Sequence, residues 1–144
     1  MDNKAQLQDA VALDFILAGD ATFTLVSKKT GDRFTYKAKH SEQVKGGFFV
    51  SVLTGPNNVE DYRYLGMIFT NGKPAVRLTN ASRFKTESPA VKAITWTVAR
   101  LALQLDTGVE IWHEGKCGCC GRALTVPASI ASGIGPVCAE KRAA

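Results

Sequence analysis

The sequence has no long apolar run, and this absence excludes one class of structure. A helix that spans a membrane needs about 20 predominantly apolar residues in succession, and no segment of the 144 residues approaches that length. The N-terminal segment carries acidic side chains and no apolar stretch, so it does not resemble a secretory signal. We therefore expect a protein without a membrane span that stays in the cytoplasm of the cell that makes it.

Groupings typical of enzymes are also lacking. The sequence has 2 histidines, and we find no paired carboxylates, no Ser/His/Asp grouping and no phosphate loop of the Gly-x4-Gly-Lys type. Glu60 and Asp61 are adjacent, so on a strand their side chains would face opposite ways. We predict a protein that is not an enzyme, and a hydrolase is the reading that these absences disfavour.

The positive charge is distributed unevenly. The net charge is +5, and residues 21–85 hold eleven Lys or Arg against four Asp or Glu. A basic block of this kind attracts polyanions such as nucleic acid. The alternative is a solubilising surface on a small domain, and charge alone favours that simpler reading.

The first two-thirds of the chain alternates in the way of an antiparallel sheet. Turn signals such as Thr30-Gly31-Asp32 and Asn71-Gly72 separate apolar segments of strand length. The predicted strands are 21–27, 33–39, 48–53, 62–70 and 74–79. A sheet of about five strands follows from this pattern.

Two helices are predicted beside the sheet. Residues 4–18 place Leu7, Val11 and Phe15 along one stripe, and Gly19-Asp20 ends the pattern. Ser88-Pro89 is a helix start, and apolar residues then recur at helical spacing to Leu105. The predicted fold class is α+β, with a sheet domain over residues 1–108.

All 4 cysteines lie between positions 117 and 138. In a reducing compartment, clustered cysteines indicate a metal site rather than disulfides. Cys117 and Cys120 form a Cys-x2-Cys pair followed by Gly121, which suits the positive φ of a metal-binding knuckle. Cys138 would lie in the first turn of a C-terminal helix. We predict a treble-clef-like zinc-binding module over residues 109–144, with Zn²⁺ in a structural role.

Tetrahedral zinc needs a fourth ligand, and the sequence offers two. A short strand is predicted over residues 109–112. His113 follows it and leaves a gap of three residues before Cys117, which is enough for the strand end to fold over the metal. Cys119 lies inside the knuckle, where we expect its side chain to point outward. We favour His113, which with three thiolates gives a closed site of net charge −1. A surface His113 or a three-cysteine site completed by water are the alternatives.

The cysteine motif resembles a family. Cys117-x2-Cys120-Gly-Arg122-x-Leu-Thr, continued by Gly-Ile-Gly-Pro136-x-Cys138, is similar to an uncharacterised bacteriophage and actinobacterial family that ends in this zinc finger-like module. Upstream stretches within residues 34–66 look like the same family. The resemblance implies a phage-type protein located in the host cytoplasm, and it implies no activity. The family usually has another residue at position 119, which supports Cys119 as a non-ligand.

Aromatic and basic residues interleave in the predicted sheet, a combination that binds single-stranded nucleic acid. The alternative is that the rings form the core and the cations the solvent face, and alternation favours this for Phe34 and Tyr36. The candidate nucleic-acid-binding residues are Arg33, Lys37, Lys39, Tyr62, Arg63 and Tyr64.

The predicted function is a small phage-type zinc-binding accessory protein that binds nucleic acid through the basic sheet. The alternative is a protein-binding module that docks on a host or defence protein and inhibits it. Exposed rings at Tyr62 and Tyr64 beside cations would favour nucleic acid, and buried rings would leave the basic surface as solvation only.

Overall fold

The computed structural model describes residues 4–57 and 60–143 and shows an α+β fold with one antiparallel sheet. The strands are β1 (Ala5–Leu7), β2 (Asp20–Ser27), β3 (Arg33–His40), β4 (Gly47–Leu53), β5 (Tyr62–Phe69), β6 (Ala75–Arg77) and β7 (Val109–His113). They are arranged in the order β1-β7-β2-β3-β4-β5-β6, and each neighbouring pair is antiparallel. The predicted fold class is confirmed.

Four helices accompany the sheet within the described residues. They are α1 (Asp9–Ile16), α2 (Pro89–Ala102), α3 (Pro127–Ser132) and α4 (Pro136–Ala143). The start of α2 at Pro89 agrees with the prediction, although the Ser88 side chain makes no capping hydrogen bond. None of the helices in the described ranges is long and apolar enough to cross a membrane.

Local turn chemistry sets the central strands. Between β2 and β3 the chain turns at Gly31, which has φ 78° and so occupies a region that side-chain-bearing residues rarely adopt. The N–H of Ser27 donates to the carbonyl of Asp32 at 2.8 Å and closes the turn. Seven residue pairs then run in register from Asp20↔Lys39 to Val26↔Arg33. The predicted hairpin is confirmed.

One face of the sheet carries the hydrophobic core. Phe23, Tyr36 and Val50 on this face are fully buried. The Tyr36 hydroxyl donates to the carbonyl of Ala90 at 2.6 Å, so the buried phenol is satisfied by the first turn of α2. On α1, Phe15 is likewise fully buried. The helices therefore pack on the face that Phe23 and Tyr36 define.

The N-terminal helix is shorter than predicted. Residues 5–7 form β1, and α1 begins only at Asp9 after Gln8, whose ψ is 147°. The apolar stripe does not distinguish a helix that begins at residue 4 from a strand followed by a helix, because Leu7 is buried in both arrangements. What decides is pairing: β1 adds to β7 with Leu7 opposite Ile111.

The sheet has two strands more than the five predicted for it. One is β1, which was predicted as helix, and the other is β7, where a short strand was predicted as a lead into the cysteine cluster and not as part of the sheet. β7 lies between β1 and β2, with Ile111 opposite Leu25 on one side and Leu7 on the other. The predicted boundary between residues 108 and 109 stays a prediction. It would, however, assign β7, which lies between β1 and β2 in the sheet, to the cysteine module.

Candidate metal centre and nucleic-acid interface

Three cysteines converge at the C-terminal end of the fold. The Sγ atoms of Cys117, Cys120 and Cys138 all lie within 4.8 Å of one another. Cys117 and Cys120 belong to the loop after β7, and Cys138 lies in the first turn of α4. The three cysteines are therefore placed to bind one metal ion.

A tight turn presents the first two sulfur atoms. The N–H of Gly121 donates to the carbonyl of Cys117 at 2.8 Å, and the N–H of Cys117 donates to Arg122 at 2.7 Å. Gly121 has φ 78°, as the sequence predicted for the residue after the second cysteine. A bridge between Lys116 and Ala123 closes the base of this turn. The backbone thus fixes the spacing of the two thiols.

Backbone N–H groups surround the first of the sulfur atoms. The N–H of Gly135 donates to Cys117 Sγ at 3.2 Å, and the N–H of Cys119 does so at 3.4 Å. Burial alone would raise the pKa of the Cys117 thiol, but the N–H groups of Gly135, Cys120 and Cys119 lower it, and the resulting pKa lies below its ordinary value. Cys117 is therefore prepared for the thiolate form, which binds metals.

The surroundings of the third sulfur atom disfavour its thiolate form. The pKa of Cys138 is raised to about 12. The main cause is loss of hydration, and the second is contact with the sulfur atoms of Cys120, Cys119 and Cys117. Three thiolates so close together repel one another, since like charges disfavour the ionised form. A divalent cation removes this repulsion, and the donor set suits a soft metal ion.

His113 is not part of the cluster, contrary to our prediction. The ring is fully buried beside Phe15, with the two ring centroids 5.9 Å apart. The N–H of Gly115 donates to Nδ1 at 2.9 Å, so the proton is on Nε2, which donates to the carbonyl of Ile130 at 2.6 Å. Both ring nitrogens are therefore occupied by backbone. The gap of three residues before Cys117 turns at Gly115, which has φ 82°.

Cys119 stands beside the cluster without joining it. Its sulfur atom contacts Cys138, but it is not within 4.8 Å of all three clustered sulfur atoms. The side chain is half-buried. We expected it to point outward; instead it lies against one of the three candidate ligands.

The cysteine loop is anchored to the core by close backbone approaches. The N–H of Asp20 donates to the carbonyl of Gly118 at 2.7 Å, and the N–H of Gly118 donates to Gly133 at 2.8 Å. A Cβ on Gly118 would lie 2.8 Å from the ring of Phe15, and one on Gly133 would meet the same ring. The site is therefore continuous with the packing of α1.

Most of the predicted nucleic-acid-binding residues share the other face of the sheet, opposite the helices. We call it the open face. Strand register places Arg33, Lys37 and Lys39 on it, together with Tyr62 and Tyr64. Arg33 and Lys39 are exposed, and Lys37, Tyr62 and Tyr64 are half-buried.

The rings on the open face lie beside cations. Lys37 Nζ lies 4.3 Å from the centroid of the Tyr62 ring, a cation–π contact. The Tyr64 hydroxyl is 2.9 Å from Thr79 Oγ1, and its ring meets Phe49 edge-on with centroids 6.2 Å apart. Phe49 is 41% exposed. It was not among the predicted site residues, although alternation in β4 places it outward from its buried neighbour Phe48.

Glu114 adds a negative charge near the rings of the open face, and Arg63 adds no positive charge to that face. Burial, and secondly the negative charge of Glu114, raises the pKa of Tyr62 above its ordinary value. Glu114 itself pairs with Lys4 at 3.1 Å and accepts from Thr24 at 3.2 Å. Arg63 lies opposite the buried Val52, so its backbone position belongs to the helix-covered face. Arg63 therefore lies on the opposite face from Tyr62 and Tyr64, because side chains alternate along a strand. Its predicted role in binding nucleic acid stays a prediction.

One family model matches the part of the chain that contains the cysteine cluster. Residues 112–143 match the model of a family of unknown function, DUF6011. The match includes all three clustered cysteines. The resemblance that we described upstream of residue 112 stays a prediction. Neither the curated proteins nor the solved structures contain a match.

Proposed function

We propose that this protein is a small phage-type accessory protein that binds single-stranded nucleic acid on the open face of its sheet. The observation that carries the proposal is the stack of Lys37 on the half-exposed Tyr62 ring at 4.3 Å. Such a pair offers a base a π surface and a phosphate a cation. The proposed role is binding rather than catalysis.

The neighbours of this pair extend the surface in one direction. Phe49 and Tyr64 form a second aromatic contact on the open face, and Lys39 pairs with Phe49 across the strands. The open face thus carries two sets of rings, each with a lysine beside it. Each stacked base contributes about 1–3 kcal/mol in proteins of this type.

The metal is proposed to be Zn²⁺ in a structural role. Cysteine thiolates in a tight knuckle are its usual ligands. The ion would join the loop after β7 to α4 through Cys117 and Cys138. Elemental analysis of purified, tag-free protein should show about one zinc per chain. A metal-free but folded protein would contradict this part of the proposal.

The experiment for the interface measures binding of a fluorescent single-stranded oligonucleotide by anisotropy over a range of salt concentrations. If Lys37 and Lys39 each contact a phosphate, the double variant Lys37→Gln/Lys39→Gln should reduce the slope of log K against log salt by about 1.4. Lys92→Gln is the matched control, because Lys92 is an exposed cation on α2, on the other side of the sheet.

The aromatic part of the interface has its own test. Phe49→Ala should weaken binding by roughly 5- to 150-fold with little change in the salt slope, because stacking does not release counterions. The proposed interface would be refuted if the wild type and the double lysine variant had equal salt slopes. It would also be refuted if the oligonucleotide did not bind at low salt.

A protein partner is the second candidate, and one feature favours it. An apolar groove of about 940 Å³ lies between α2 and the end of the sheet, lined by Phe34, Val109 and Trp96. Its charged lining residues are Lys29, Lys92 and Asp32, which together carry a net charge of +1. Trp96 is 53% exposed. The occupant that fits is an apolar segment of a host or defence protein with an acidic flank. Ala99→Glu, which puts a charge into the groove, should abolish such binding and leave oligonucleotide binding unchanged.

A further inference from the structure

The three clustered sulfur atoms face a pocket on one side. This pocket has a volume of about 300 Å³ and is lined by all three cysteines together with Arg122, Val137 and Lys141. Arg122, Val137 and Lys141 are exposed. A metal ion held by the three cysteines would therefore have one side directed toward a cavity that solvent reaches.

No further protein ligand is in place within the residues described. None of their other cysteine, histidine or carboxylate side chains brings a ligand atom within 4.8 Å of all three sulfur atoms. His113 is occupied at both ring nitrogens by Gly115 and Ile130. The reading of a closed site, which depended on His113, therefore loses its basis.

The charges around the pocket favour an anion. Zn²⁺ with three thiolates carries a net charge of −1, and Arg122 and Lys141 together add +2. The sum of +1 is neutralised by one monoanion. A guanidinium presents paired donors that match the two oxygens of a carboxylate, and a carboxylate oxygen is a common fourth ligand of zinc.

We propose that the metal centre keeps an exchangeable fourth position, which binds a small carboxylate from outside the chain between Arg122 and Lys141. The proposal rests on the proposed metal binding at Cys117, Cys120 and Cys138. It gives the centre a binding role besides its structural one. The carboxylate oxygen bonds to the metal, and its second oxygen accepts hydrogen bonds from Arg122.

The test uses the full chain loaded with Co²⁺, whose visible absorption reports the ligands around the ion. Acetate should change the spectrum in a saturable way. Arg122→Gln and Lys141→Gln should retain one metal per chain and weaken the acetate response roughly tenfold or more, because each removes a charged hydrogen bond. Arg142→Gln is the matched control, since Arg142 is a cation on the same helix that lines a different cavity.

Three outcomes separate the possibilities. A chain that binds no stoichiometric metal refutes the proposed metal centre itself. A metal-loaded chain whose spectrum does not respond to acetate, but does so in Cys119→Ser, shows that Cys119 closes the site and overturns the open position. A response to dimethyl phosphate equal to that to acetate overturns the choice of a carboxylate.

Discussion

Gly133 lies where the metal module meets the core, and its replacement tests the docking of the two. Its φ is 76°, and an added Cβ would collide with the Phe15 ring. The left-handed backbone costs an alanine about 1–2 kcal/mol. Forcing a methyl group into a filled core costs about 1–3 kcal/mol more. We therefore expect Gly133→Ala to lower the free energy of unfolding by about 2–5 kcal/mol.

Gly108 supplies the control that separates these two costs. Its φ is 69°, and an added Cβ would have no atom within 4 Å. Gly108→Ala should thus cost only the backbone contribution of about 1–2 kcal/mol. Urea denaturation of both variants gives the difference, and the Phe15→Leu background should reduce it. If Gly133→Ala costs no more than Gly108→Ala, the module does not pack on Phe15 as described.

Three further predictions concern single side chains. Cys138→Ser should abolish retention of zinc through gel filtration with a chelator, whereas Cys119→Ser should leave one zinc per chain, as elemental analysis would show. His113→Ala should retain the zinc but lose about 2–4 kcal/mol of unfolding free energy in urea, because two buried hydrogen bonds are removed; loss of the metal instead would restore His113 as a ligand. Burial raises the pKa of Tyr36, so the folded state holds its proton where the unfolded state, with a pKa of about 10, has lost it. Stability should therefore fall as the pH rises above about 10, and Tyr36→Phe should reduce this slope in denaturation curves measured at each pH.

The central strands were predictable because their signals are local. Alternation and the turns at Gly31 and Asn71-Gly72 act within a few residues, and β2 to β6 follow them closely. β1 has only three residues, and its partner Ile111 is more than a hundred positions away. Its pairing contributes no local pattern, so a helix extended to residue 4 was equally consistent with the sequence.

The cysteine cluster also has a part that local sequence determines and a part that distant strand pairing determines. Cys117, Cys120 and Gly121 are fixed by one short turn, and their spacing alone indicated the knuckle. The role of His113 depended on where β7 directs its side chain, and that is set by pairing with β1 and β2. Arg63 lies on the other face from Tyr62 and Tyr64 because side chains alternate along β5.

The predicted domain boundary between residues 108 and 109 can be tested directly, because cutting the chain there removes β7 from the sheet. Within the described residues β1 pairs with β7 alone, and β2 has β7 as its second neighbour. A fragment of residues 1–108 would leave Leu7 and Leu25 without Ile111 between them, and all three side chains are at most 1% exposed. Burying a leucine contributes about 1.5–3 kcal/mol, which is a large share of the roughly 5–15 kcal/mol that holds a domain together. We expect this fragment to lack the dispersed amide spectrum of a folded protein in two-dimensional NMR. A dispersed spectrum with cooperative unfolding would show that the sheet is complete without β7, and the sheet and the cysteine module would then be separate domains.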